Sequence, residues 1–182
     1  MRIYTDGSSG ADGSGGWAWA ISPDGRIQDS GPATETTNQR MEMTAALQAL
    51  LSNPGDVTIV SDSSYVVDCF NKNWSKKWLQ NGWLNSAGNP VANQDLWEAL
   101  LDVAKDRNVT FEWVKGHSID PMNALVDRLA GSARTKMPLK EVKDLFEIGC
   151  NILYEWWKTG GNPTAEMVEK VEEFLVKMKM VE

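Results

Sequence analysis

Cysteine and histidine are nearly missing from this chain of 182 residues, which has only Cys69, Cys150 and His117. Two distant cysteines give neither a disulfide framework nor the ligand spacing of a zinc site. Both lie in apolar stretches, which predicts buried free thiols of a reducing compartment. No apolar run approaches the roughly 20 residues that a membrane-spanning helix needs. Asp6 stands too close to the start to follow a leader segment. The expectation is a cytoplasmic protein with no membrane partner. The glycine-rich stretch from Gly7 to Gly16 lacks the GxGxxG spacing and no helical pattern follows it, which argues against a dinucleotide site. Positive charge is also scarce: 18 Lys and Arg stand against 25 Asp and Glu, a net of −7. That balance speaks mildly against a nucleic-acid partner.

Acid is in turn missing from one window. Between Asp68 and Asp95 there is no carboxylate, while Lys72, Lys76 and Lys77 are interleaved with Trp74, Trp78 and Trp83. Two readings are open. The window is a solvated helix with some core tryptophans, or it is a surface that meets phosphates with lysines and sugars or bases with indoles.

Apolar periodicity supplies the framework. Arg2–Gly7 and Val57–Ser61 each read as a β-branched strand ending near an Asp, Asp6 and Asp62. Trp17–Ile21 and a segment from Arg26 to about Thr36 complete an antiparallel meander with the first strand, with a turn at Pro23–Gly25. Asn38–Leu51 is helical, with Met43, Ala46, Leu47, Leu50 and Leu51 as its apolar stripe and Glu42 beside it. Helices over Tyr65–Phe70 and Asp95–Lys105, a strand over Val109–Val114, and a helix capped by Asp120-Pro121 and carrying Asp127 follow. This order is an α/β domain of about 135 residues.

Strand-ending aspartates are most often turn formers or helix caps, and a Glu near a helix start commonly answers the helix dipole. Taken together, however, Asp6, Glu42, Asp62 and Asp127 come from elements that must pack on one sheet. Oxygen ligands in that arrangement suit two hard divalent cations.

The segments Tyr-Thr-Asp6-Gly-Ser, Thr-Thr-Asn-Gln-Arg-Met-Glu42, Val-Ser-Asp62-Ser-Ser-Tyr-Val, Asn-Gly-Trp83, Trp-Val-Lys-Gly-His117 and Asn123 followed by Asp127-Arg-Leu-Ala resemble the type 1 ribonuclease H family, in family order, over residues 1 to about 135. The resemblance implies a five-stranded mixed sheet, three strands antiparallel and two parallel, flanked by helices. It implies hydrolysis of the RNA strand of RNA–DNA hybrids to 5′-phosphate and 3′-hydroxyl ends. Asp6, Glu42, Asp62 and Asp127 would ligate two Mg²⁺, for which Mn²⁺ substitutes. His117 would assist proton movement and product release. Asn38 and Gln39 would read the minor groove, Thr37 and Asn93 would hold a DNA-strand phosphate, and Trp74 and Trp78 would wall the DNA channel. Glu35, Asp12 and Leu79-Gln80 depart from the family's usual charge at their positions, each toward negative. The competing readings are a non-catalytic binding module on the same fold and a different nuclease of the wider superfamily. All four ligands are present, against the first; the Thr-Asn-Gln-Arg and Lys-Gly-His segments argue against the second.

The chain therefore reads as a catalytic domain over 1–137 and an extension over 138–182. In the extension Leu139, Val142, Leu145, Phe146, Gly149, Ile152, Leu153, Trp156 and Trp157 fall on one helical face. Gly160-Gly161 end that helix, and Asn162 with Pro163 starts a second whose apolar face includes Met167, Val168, Val171, Phe174, Leu175 and Met178. This is a helical hairpin that either packs on the domain as added core or self-associates or binds a protein partner, with Trp156 and Trp157 as anchors.

Overall fold

The computed structural model describes residues 1–182 except 117–118, 137–138, 161–162 and 180–182, and except the side chains of 139–146, 157 and 175–179. The chain divides into two compact units, Met1–Thr135 and Lys136–Glu182.

The first unit is built on β1 (Arg2–Ser9), β2 (Gly15–Ile21), β3 (Gln28–Ala33), β4 (Val57–Ser61) and β5 (Val109–Trp113). They form one sheet in the order β3-β2-β1-β4-β5. β1–β2 and β2–β3 are antiparallel, and β1–β4 and β4–β5 are parallel. This is the expected mixed sheet. Side chains alternate across a strand, so successive residues feed two separate cores. Ile3 and Ile59 pack with Met43, Ala46 and Leu50 of α1 (Asn38–Ser52) and Trp97 and Leu100 of α4 (Gln94–Ala104). Tyr4 and Val60 pack with Met122, Val126 and Ala130 of α5 (Pro121–Arg134). With both faces covered, β1 is buried from Ile3 to Asp6, which explains its lack of polar alternation.

Two glycines set how closely the helices approach. A Cβ on Gly7 would lie 2.1 Å from the backbone N of Glu42, and one on Gly16 would lie 2.2 Å from the carbonyl oxygen of Ala130. Neither neighbour is a flexible side-chain tip, so α1 and α5 would have to move off the sheet. Gly7→Ala is therefore expected to destabilise the protein by about 3 kcal/mol and to lower Tm by roughly 10 °C. Gly131→Ala, where a Cβ meets nothing within 4 Å, should instead raise Tm slightly. Thermal unfolding of the pair checks this; equal effects would mean that α1 does not depend on Gly7 for its seat.

Helix starts follow sequence. Thr37 Oγ1 accepts from Arg40 N at the head of α1. Asp120 Oδ1 accepts from Met122 N and Asn123 N at the head of α5, and its Oδ2 accepts from Tyr4 on β1 at 3.0 Å. Arg107 gave no signal in the sequence. Its guanidinium donates to the carbonyls of Leu50, Asn53 and Gly55, satisfying the end of α1 and the turn into β4.

Several details differ from the sequence reading. The glycine-rich turn is short, because β1 runs to Ser9 and β2 starts at Gly15. β3 ends at Ala33, three residues early. Leu51 is 57 % exposed, whereas Met41, Ala45 and Ala49 are buried, with Met41 against Gly7 of β1 and Gly15 of β2. Besides α2 (Ser64–Asn71), the basic tryptophan window forms a helix of its own, α3 (Trp74–Gln80). Cys69 is buried as expected, but Cys150 is exposed.

The second unit is a helical hairpin, α6 (Leu139–Lys158) and α7 (Ala165–Lys179). Gly160 takes φ 65° after α6, the left-handed form that ends helices. Asn162 lies outside the described residues. The cap of α7 is Thr164, whose Oγ1 accepts from Met167 N at 3.3 Å, so Pro163 precedes the cap instead of opening the helix. Phe174 of α7 packs over Gly149 of α6. Ile148, Ile152, Met167 and Phe174 line a cavity of about 330 Å³ between the helices. Leu153, Trp156 and Val168 are 65 %, 49 % and 47 % exposed, and the Trp157 side chain lies outside the described residues. Among the described residues no helix is long and apolar enough to cross a membrane.

Candidate active site

The site starts from register. In the parallel pair, Thr5 of β1 lies opposite Ser61 of β4. The residue after each is an aspartate, so Asp6 within β1 and Asp62 just past the end of β4 lie side by side. Gly7 then admits α1, which carries Glu42. Asp6, Glu42 and Asp62 each offer an oxygen within 4.8 Å of the others.

Burial makes this cluster costly without a cation. Asp6 and Glu42 are 6 % and 7 % exposed. Burial, then the charges of Asp62 and Asp127, pushes Asp6 up to about 7. Burial, then Asp6 and Asp62, pushes Glu42 up to about 9, with the Gly7 N–H opposing. Glu42 Oε2 is buried with no hydrogen-bond partner. An orphaned carboxylate oxygen among other carboxylates fits an oxygen-ligated divalent cation such as Mg²⁺ or Mn²⁺.

Asp127 is on α5 and exposed, outside the tight trio, although its charge acts on both Asp6 and Glu42. His117 lies outside the described residues. Its neighbour Gly116 is close in: a Cβ there would sit 2.8 Å from Asp62 Oδ2. Two residues hold Asp62 that the sequence reading gave no role. Trp113 Nε1 donates to the Asp62 carbonyl at 3.0 Å, and Asn123 Nδ2 lies 3.4 Å from Asp62 Oδ2. Asn123 is 2 % exposed and its Oδ1 has no partner. A buried polar residue one helical turn before Asp127 was the available signal.

The residues expected to meet substrate fall into two groups. Thr37, Asn38 and Gln39 are exposed at the head of α1, and Asn93, with φ 58°, accepts from Arg40 Nη1 through Oδ1. Trp74 and Trp78 are half-buried, with ring centroids 6.3 Å apart, and Trp78 also packs on Trp83 and on buried Trp97. Lys72 Nζ stands 6.0 Å from the Trp74 ring. The indoles of the window are rooted in the core, with part of each surface left open. Asp12 is engaged by Ser14, whose N and Oγ donate to it and hold its carboxyl below the usual range.

The profile of the family described as RNase H matches residues 1–135. The chain belongs to the RNase H family. It is 46 % identical over 145 residues to the ribonuclease H of Caldanaerobacter subterraneus subsp. tengcongensis, covering 78 % of this chain and 94 % of that one. The family fold recurs in the crystal structure of LC9-RNase H1, a type 1 RNase H with the type 2 active-site motif. That match has TM-score 0.59 and 25 % identity, over 73 % of this chain and 71 % of that one. The foamy viral protease-reverse transcriptase in complex with an RNA/DNA hybrid matches with TM-score 0.61 and 26 % identity, over 73 % of this chain but only 20 % of that one.

Proposed function

We propose that residues 1–137 form a metal-dependent endonuclease domain that hydrolyses the RNA strand of RNA–DNA hybrids in the cytoplasm. The observation that carries the reading is the trio of buried Asp6 and Glu42 and half-buried Asp62, with an oxygen from each within 4.8 Å of the others, in a member of this family. Asp6, Glu42, Asp62 and Asp127 would hold two Mg²⁺ ions, which when bound supply an activated water and neutralise the leaving oxygen. The protein's own part is positional. Asp6 and Asp62 present carboxylates from rigid strands, Glu42 adds a third from a helix that Gly7 seats, and Trp113 and Asn123 hold Asp62 in place. Water attacks phosphorus and the bond to the 3′ oxygen breaks, leaving 3′-hydroxyl and 5′-phosphate ends. His117 would move a proton and help release product, a task suited to an imidazole. Asn38 and Gln39 would contact the minor groove, where the 2′-hydroxyl separates RNA from DNA.

The test is cleavage of matched hybrid, duplex RNA and duplex DNA with and without Mg²⁺, with end analysis of products. Cleavage of the hybrid's RNA strand alone, only with metal, is expected; binding without cleavage, or cutting of duplex DNA, would overturn the reading.

Two further results are expected. Glu35, exposed near the head of α1, adds negative charge where the DNA strand would pass. Glu35→Arg should tighten hybrid binding and steepen its salt dependence by about one counterion, as a salt titration would reveal. A steep slope in the unmodified protein would contradict this. Truncation after Met137 should retain hybrid cleavage but lower Tm or solubility. A truncated protein folded by circular dichroism yet inactive would bring the hairpin into the catalytic machinery.

A further inference from the structure

Arg40 fixes what two of its neighbours have left to offer a ligand. Its backbone N–H donates to Oγ1 of Thr37, and its Nη1 donates to Oδ1 of Asn93, both at 3.4 Å. The guanidinium is also held in a fork by Asp95, at 2.9 and 2.6 Å. A threonine hydroxyl has one hydrogen to give and an asparagine amide has two; otherwise each is an acceptor. Arg40 engages the acceptor oxygen of both. What each has left to donate is the Thr37 hydroxyl hydrogen and the Asn93 amide N–H pair. Asn93 has a left-handed backbone at φ 58°, so its stem is set, and the amide orientation depends on the bond from Arg40.

One donor set by the Arg40 backbone and one set by its side chain suit an anion rich in acceptor oxygens. We infer that the Arg40 side chain is a positioning group that orients the Asn93 amide nitrogen toward a backbone phosphate of the nucleic acid, beside the Thr37 hydroxyl that caps the same helix, with Asp95 locking the guanidinium in that pose. The inference rests on the hybrid-nuclease reading and names what orients its phosphate contact. It has a counter-intuitive consequence. Asp95 is an acid beside a phosphate site, and on charge alone its removal should tighten binding. On positioning grounds its removal loosens Arg40 and weakens binding. Likewise Lys at 40 keeps the charge but cannot span Asp95 and Asn93 with a planar fork.

The experiment measures steady-state hybrid cleavage for the unmodified protein, Arg40→Lys, Asp95→Asn, Asn93→Ala and the double variant Arg40→Lys/Asn93→Ala, each checked for folding by circular dichroism. Arg40→Lys and Asp95→Asn should each raise KM about tenfold, the scale of one charge-assisted hydrogen bond, with kcat changed less than about twofold. The double variant should be no worse than Asn93→Ala, because Arg40 acts through Asn93. A lower KM for Asp95→Asn, or single effects that multiply in the double variant, would overturn the inference. If Arg40→Lys fails to fold, Asp95→Asn decides by the direction of its KM change. If the unmodified protein does not cleave hybrid, the nuclease reading falls. A second arm then decides the inference alone: inorganic phosphate should shift the NMR signals of the Asn93 side-chain amide in the unmodified protein and not in Asp95→Asn. No shift in the unmodified protein, or the same shift in both, would overturn it.

Discussion

Asp6→Asn should reduce hybrid cleavage by about 10³-fold or more, the scale of removing a preorganised charge from a reacting centre, while making the metal-free protein more stable. The two effects have one cause. Asp6 is buried beside Asp62 and near Glu42, and ionising it in the absence of a cation is opposed by burial first and by its neighbours second. Asparagine keeps the shape and removes the charge. At pH 8, above the value of about 7 reached by Asp6, the metal-free variant should gain about 2 kcal/mol and roughly 6 °C in Tm. Asp62→Asn should likewise abolish cleavage, with a smaller gain, because Asp62 is only half-buried. Activity assays in Mg²⁺ and melting curves in chelator measure both halves. Lost activity with no rise in either melting temperature would mean that the carboxylates are not crowded against one another.

The stability of the metal-free protein should fall as pH rises from about 5 to about 9. Asp6 and Glu42 both have folded values raised above the ordinary carboxylate range, to about 7 and about 9. The folded state therefore holds protons that the unfolded chain has already released, and stability declines with pH in that interval. The contribution is fully present below about pH 4, where both states are protonated. It is lost first as pH passes the Asp6 value and then as it passes that of Glu42. Two groups raised by several units give a decline of about 4 kcal/mol or more. Millimolar Mg²⁺ should reverse the trend, because metal binds the ionised carboxylates and stabilises the folded state by mass action, most at high pH. Melting curves from pH 5.5 to 9 in chelator and in Mg²⁺ make the comparison. A metal-free Tm that is flat or rising over that interval would show that the trio does not titrate as its burial requires.

The sequence by itself determined the fold class, because its signals are local and periodic. β-branched runs bounded by turns gave strands, Asp120-Pro121 gave a helix start, and the motif order gave the family. Periodicity was weakest where an element is covered broadly. On α1 the stripe that included Leu51 missed the buried Met41, Ala45 and Ala49, because the sheet covers more of the helix than a narrow stripe: Met41 lies against Gly7 of β1 and Gly15 of β2. End signals misled at Asn162-Pro163, where a hydroxyl one residue past the proline makes the cap bond instead.

The tertiary structure alone decided the distances that give the site its chemistry. Asp6 and Asp62 are 56 residues apart in sequence, and only the parallel pairing of Thr5 with Ser61 sets them side by side. That Gly7 is a seat for α1, that Asp127 stands outside the tight trio, and that Arg40 joins Asn93 and Asp95 depend on long-range approach. The same holds for burial. Sequence names the carboxylates, but their desolvation, and with it the raised proton affinity of Asp6 and Glu42, arises only when two helices close over the sheet.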